Sequence, residues 1–182
     1  EAAAVLRDVG YLVNYTGHGS SIGWGTSGFT SADVAALTND SMLPFIFSVG
    51  CVNGAFPGGT CFAEAWLRAQ HGDSPTGAIA TYMSSVNQPW DPPMCAQDAF
   101  VDLLVGGRIH SIGARCFGGS CRMMDVYGTD GQNVFRTWHL FGDPSLQIRT
   151  AAPEEMIVQY ADSTFVGEAS FPVTVEGVEG AR

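Results

Sequence analysis

The 182-residue sequence contains no lysine, and its eight basic side chains, all arginine, face 18 Asp and Glu for a net charge of −10. Nucleic-acid binding needs a basic face that displaces counterions, so no nucleic-acid partner is expected. No apolar run approaches the roughly 18 residues that a spanning helix requires, and no membrane span is expected. The opening stretch EAAAVLRDVG lacks the basic and apolar regions of a signal peptide. It reads as the end of an amphipathic helix, as if the chain began inside a domain. No Cys-x-x-Cys pair occurs among Cys51, Cys61, Cys95, Cys116 and Cys121, which argues against a zinc knuckle or a thioredoxin motif. Five is an odd number. Either four pair as two disulfides in one of three connectivities, or most are small buried apolar residues. Charged residues are scarce at 14%, against 46% apolar, which is a globular composition.

What is present alternates between two textures. Tyr11 to Tyr15 (YLVNY) is rich in β-formers and ends at Thr16-Gly17, which predicts a strand. TSADVAALTND predicts a helix capped by Thr30 or Ser31, with Asp33 in its first turn. Leu43 to Gly50 (LPFIFSVG) is a nearly unbroken apolar run, as in a parallel strand covered on both faces. CFAEAWLRAQHG predicts a helix closed by Gly72, and Thr76 to Ser85 a third strand. CAQDAFVDLLVGG and a stretch including CRMMDVYG predict further helices. A turn is expected at Gly142-Asp143-Pro144, followed by a short strand. Alternating strands and helices predict an α/β layered domain over residues 1–150. Residues 151–182 lose the helical period and carry β-rich runs split by Gly and Asp. They predict the first strands of an all-β module, too few to close a sandwich alone.

Ligands of open α/β sheets bind outside the carboxyl ends of the strands. Two chemically capable residues fall at such ends: His18 after the first strand and Cys51 after the second. Taken singly, a histidine there is more often a surface or capping residue, and a cysteine more often core packing. Together, each preceded by a glycine, they form the spatial pattern of a Cys/His pair, distant in sequence and adjacent in the fold. The N–H groups of Gly19 and Cys51 could then face a developing oxyanion.

NYTGHGSSIGWGTSGF, LPFIFSVGCVNGAF, CFAEAWLRAQ, NQPWDPPM and TWHLFGDPSLQIRT, in that order over roughly residues 1–150, resemble the gingipain-type cysteine peptidases. That family belongs to the clan of caspases and legumain. The resemblance implies a caspase-like sandwich, a mainly parallel sheet with flanking helices, followed by the start of an immunoglobulin-like module at 151–182. It implies a secreted or cell-surface cysteine endopeptidase acting on protein or peptide substrates. His18 would be the acid/base, Cys51 the nucleophile, and the Gly19 and Cys51 amides the oxyanion hole. Trp90 would cover the P1 side chain, with Gln88 nearby and Thr16, Gly17, Val49 and Met94 as pocket walls. No catalytic cofactor is implied; structural calcium is, with no ligand named.

Asp91 has two readings, a turn residue before Pro92 or a pocket carboxylate that favours a basic P1 side chain, and the turn is put first. Relatives carry their histidine-orienting and pocket acids in a first half that these residues do not match. Three origins stand open: a second polypeptide made by cleavage, a truncation, or a half that never existed. Arg182 at the terminus fits self-cleavage by an Arg-specific enzyme, and Arg is put ahead of Lys at P1. The competing expectations are a transpeptidase that passes the acyl group to an amine, a non-catalytic binding module keeping the fold, and a thiol or metal site of Cys and His.

Overall fold

The computed structural model describes residues 11–40, 42–150 and 156–177, and the chain divides into two compact units, Glu1–Ile148 and Arg149–Arg182. In the first unit, β1 (Leu12–Thr16), β5 (Phe45–Val49), β8 (Ala80–Ser84) and β9 (Trp138–Phe141) form one sheet in that order. β1, β5 and β8 are parallel, and β9 runs antiparallel to β8. The sheet is therefore mixed, with its parallel core as the sequence predicts.

Every residue of β5 is buried, and they alternate between two cores. Ile46 faces Trp24, Phe29, Val34, Phe62 and Trp66. Phe45, Phe47 and Val49 face Phe100, Ile112, Met123 and Trp138. The period of two sends successive side chains to opposite faces. Short helices α1 (Ser31–Ala35) and α2 (Phe62–Arg68) cover the first face. The longer α3 (Asp91–Val105) and α4 (Ile112–Tyr127), with the short α5 (Thr129–Phe135), serve the second. This is a three-layer α/β sandwich.

Several boundaries differ from the sequence reading for local reasons. The helix at 62 ends at Arg68; Gly72, at φ 61°, instead turns a small hairpin of β6 (Gln70–His71) and β7 (Ser74–Pro75). The third strand is shorter, Ala80–Ser84, because Gly77 packs on the Trp66 carbonyl and Ala78 N–H donates to the same oxygen. Near the Gly142 turn the strand precedes it, as β9, and the residues after it add only an isolated bridge, Ser111 to Gln147. His18 is followed by a sheet of β2 (Gly19–Ser20), β3 (Gly23–Trp24) and β4 (Phe29–Thr30) that the sequence reading did not foresee. The proposed terminal helix within residues 1–10 lies outside the described residues. In the second unit β10 (Ile157–Tyr160) and β11 (Val173–Glu176) pair antiparallel, exposed on both faces.

All five cysteines are free thiols, so the disulfide alternative is not realised. Cys61 caps α2, where its backbone N–H donates to Glu64 Oε2 at 2.9 Å, and Cys116 lies in the second core. Burial pushes both thiols up, away from the reactive thiolate.

Two outcomes follow from this packing. A Cβ on Gly119 would sit 2.5 Å from the Ala96 carbonyl oxygen, where α4 crosses α3. Gly119→Ala is expected to cost about 1–3 kcal/mol, read as a lower urea midpoint; an unchanged midpoint would contradict the contact. His139 on β9 bonds Ser85 Oγ at 3.1 Å, and burial lowers its pKa below the ordinary histidine value. The unfolded chain therefore binds more protons in the interval between the two values, and stability falls as pH drops below about 6.5. His139→Gln should show a smaller loss of Tm between pH 7.5 and 5.5 than the wild type.

Candidate active site

The parallel pairing of β1 with β5 sets Thr16 opposite Val49, so the residues after both strands leave the sheet side by side. Gly17 N–H donates to the Val49 carbonyl at 3.0 Å, carrying the register past the strand ends. His18 comes next on one side, and Gly50 and Cys51 on the other.

The backbone of His18 is pinned from three directions. Its carbonyl accepts from Tyr15 Oη at 2.7 Å and from Gly25 N–H at 2.7 Å, and its N–H donates to Thr26 Oγ1 at 3.0 Å. Tyr15 is held in turn by stacking on Trp24, with ring centroids 4.6 Å apart. Gly19 then presses onto the other strand end: a Cβ there would lie 2.5 Å from the Cys51 carbonyl oxygen and 2.8 Å from its nitrogen. Only glycine permits that approach.

Asn53 locks the two halves together. Trp24 Nε1 donates to Ser48 Oγ at 2.9 Å, and Ser48 Oγ donates to Asn53 Oδ1 at 2.8 Å. Asn53 Nδ2 donates to the carbonyls of Ser20 and Gly23 at 2.8 and 3.0 Å. Asn53 and Ser48 are fully buried, where the low dielectric strengthens a satisfied network. Between them the chain turns sharply at Val52, a β-branched residue at φ 51°. Strain of that kind is found where the surrounding structure over-determines the backbone. Here Val52 N–H donates to the Val86 carbonyl and Ala55 N–H to the Val52 carbonyl, both at 3.1 Å.

Gly17, His18, Val49, Gly50, Cys51, Gln88, Pro89 and Trp90 enclose a cleft of about 20 Å³, room for about one water. Trp90 stands edge-on to the His18 ring at 5.5 Å between centroids, and is half exposed. The Cys51 sulfur lies 3.4 Å from the Gln88 N–H nitrogen and 3.9 Å from the Gln88 carbonyl oxygen. Of the five cysteines, Cys51 alone lines this cleft.

The other expected pocket residues lie elsewhere. Thr16 Oγ1 donates to Gln97 Oε1 at 2.8 Å, and Met94 packs on the core beneath α3. Asp91 is the first residue of α3, where its charge suits the helix dipole. It lines a second, larger cavity with Gln88 and α5. Tyr15, Ser48, Asn53 and Gln97 were not singled out in the sequence, because a lone Asn or Gln carries no motif. Gln97 Nε2 donates to the Tyr15 and Phe47 carbonyls, tying α3 to both strands. Among the described residues no group of three or more His, Cys, Asp or Glu side chains converges. They offer no carboxylate cage for the calcium implied by resemblance, and calcium enters no step below.

The family model described as peptidase family C25 matches residues 8–149. Gingipain R2 and gingipain R1 of Porphyromonas gingivalis are each 44% identical over 171 residues, 91% of this chain but 23% and 17% of those proteins. The crystal structure of the Arg-specific cysteine proteinase gingipain R matches with a TM-score of 0.76 and 43% identity over 91% of this chain and 39% of that one. A complex of Porphyromonas gingivalis RgpB pro- and mature domains matches with a TM-score of 0.81 and 39% identity, covering 96% and 43%. The chain thus spans under half the length of these relatives. It has their caspase-like α/β fold, and over the matched length it belongs to peptidase family C25.

Proposed function

We propose that this chain carries the catalytic dyad of a secreted or cell-surface cysteine endopeptidase. The observation that supports this most is the meeting of His18 and Cys51 in one cleft at the ends of adjacent parallel strands. A thiolate is the competent form of a cysteine nucleophile. Cys51 passes its thiol proton to His18, and its Sγ attacks the scissile carbonyl carbon, forming a C–S bond as the carbonyl π electrons move to oxygen. The Gly19 and Cys51 N–H groups, brought close by the missing Cβ of Gly19, face that oxyanion. The C–N bond then breaks, and His18 delivers a proton to the leaving amine. Water, deprotonated by His18, attacks the thioester and frees the acid and the thiol.

The P1 side chain enters between Gln88, Pro89 and Trp90. We assign it as basic, with Arg ahead of Lys. The indole face of Trp90 suits a planar guanidinium, and the matched gingipain R is named as Arg-specific. Because the cleft holds about 20 Å³ with Trp90 closed on His18, Trp90 swings outward when P1 enters. This chain covers 39% of the matched proteinase, and the acid that orients His18 comes from a further part of the catalytic domain, supplied as a second polypeptide after self-cleavage. Residues 151–182 begin an immunoglobulin-like module, and calcium plays a structural part held outside the side-chain groups described here.

The test is covalent labelling of the native protein with peptidyl electrophiles bearing P1 Arg, Lys or Asp. One adduct is expected, on Cys51, fastest with Arg and lost in Cys51→Ala. Adducts scattered over Cys95 and Cys121, or none with any P1 residue, would sink the proposal. His18→Ala should abolish turnover while its circular dichroism matches the wild type; an unfolded variant would mean that His18 serves the core instead. Gly19→Ala should slow labelling by about 100-fold, since a displacement of about 1 Å at a reacting group costs that much. A wild-type labelling rate in that variant would remove Gly19 from the site. Intact mass of the native material should reveal a second co-purifying polypeptide.

A further inference from the structure

Beside the dyad cleft lies a cavity of about 650 Å³, and Gln88 and Pro89 are walls of both. We propose that this cavity is an acyl-side subsite that takes a second cationic side chain, Arg or Lys, from the polypeptide whose P1 residue sits at Cys51. The proposal rests on the peptidase reading above and adds a substrate class to it.

Direction comes from the sheet. In the order β1-β5-β8-β9, His18 follows β1 and Cys51 follows β5. The cavity lies beyond Cys51 on the opposite side, between the loop after β8 with the first turn of α3 and, facing them, α5 with Thr137, just before β9. His18 protonates the departing amine, so the leaving half of the substrate is on the β1 side. The acyl half then runs over Gln88, whose N–H and carbonyl flank the nucleophilic sulfur at 3.4 and 3.9 Å, toward the cavity.

Chemistry comes from the lining. Val86, Pro92, Val134 and the Tyr127 ring give apolar surface of the kind that takes an alkyl stem or a guanidinium plane. Asp91 and Asp130 add two carboxylates from the first turns of α3 and α5, and neither has an ion-pair partner among the described residues. Helix dipoles account for their positions but not for their facing one cavity.

Gln88 supplies an independent sign. Its Nε2 donates to Ser84 Oγ and to Thr137 Oγ1. The proton of Ser84 Oγ goes to the Val86 carbonyl and that of Thr137 Oγ1 to the Val134 carbonyl. Both hydroxyls can therefore only accept from Gln88, which fixes the amide's orientation. Its Oε1 is left buried with no partner, in the wall shared with the cavity. A guanidinium entering the cavity brings five N–H groups to the exposed Asp91 and Asp130 carboxylates, and a shift of the Gln88 side chain would let its unpartnered Oε1 accept one as well.

The test varies the second side chain while P1 stays Arg. Peptidyl electrophiles carry Arg, Ala or Asp at P2, and separately at P3, and the rate of Cys51 labelling is measured. Arg should exceed Ala by about tenfold at one of these positions, the size of a charge-assisted hydrogen bond, with Asp slower than Ala. In the Asp91→Asn/Asp130→Asn double variant the Arg-to-Ala ratio should fall to within about twofold. A second readout needs no catalysis. With Cys51 blocked by iodoacetamide, N-acetyl-arginine methylamide should shift the amide resonances of Tyr127 and Asn133, and the double variant should weaken the shifts. Labelling indifferent to P2 and P3, with no such shifts, overturns the subsite and spares the peptidase. Shifts at Tyr127 and Asn133 without labelling by any electrophile would leave a cation-binding cavity but overturn its assignment as an acyl-side subsite, together with the peptidase.

Discussion

Everything at the candidate site depends on two backbones lying in direct contact, Gly19 against Cys51. Two loops that leave a sheet side by side would ordinarily be spaced by their side chains. Here the spacer is absent on one side, and on the other Gly50 packs against Asn53, where a Cβ would lie 2.5 Å from Oδ1. Asn53 then replaces the missing side-chain contacts with hydrogen bonds directed at the carbonyls of Ser20 and Gly23. A glycine pair alone would leave the loops close but free, and its entropic cost would favour opening. A buried Asn alone could not bring the backbones so near. Closeness and rigidity come from different residues, and the site needs both.

That division explains why the strain at Val52 is tolerable. A β-branched residue in the left-handed region costs on the order of 1–3 kcal/mol. The cost is distributed into Ser48 and Asn53 on one side and the Val86 carbonyl on the other. The same Val86 belongs to the loop that presents Gln88 to the sulfur. Turning the chain sharply at Val52 therefore fixes nucleophile and P1 wall in one operation. The two aromatic cores beneath supply the rigid platform: β5, which leads into Cys51, is buried on both faces and has little room to move.

The sheet was legible because its signals are local and strong. LPFIFSVG reads as a covered strand, and the helical crossovers from β1 to β5 and from β5 to β8 suit their parallel order, whereas β9 returns antiparallel after three helices. The dyad was legible because His18 and Cys51 are chemically distinctive and fall at strand ends. What could not be read were residues whose role is set by long-range partners. Asn53 and Gln97 look like any polar residue, and only the fold brings Asn53 to Ser20, 33 residues away, and Gln97 to Thr16, 81 residues away. The hairpins at 19–30 and 70–75 were missed because strands of two residues have no period to detect. Asp91 was read as a turn residue although Pro at the second helical position marks a helix start.

Met94 and Thr16, expected as pocket walls from the resemblance, have other partners in this structure. Each lies one turn or one pleat from the cleft, close enough for a wall position in sequence. Yet Thr16 spends its hydroxyl on Gln97 and Met94 its side chain on the core. The first turn of α3 is thus shared out by helical geometry, with Asp91 on the cavity side and Met94 inward, while Trp90 just before it faces His18. Residues one position apart on a helix point about 100° apart and residues three apart about 60°, so a single loop-to-helix junction can wall a cleft, line a cavity and seal a core at once. Moving the helix start by one residue would rotate all three roles together. Pro92 and Pro93 at that junction, with φ held by their rings, keep the start where it is.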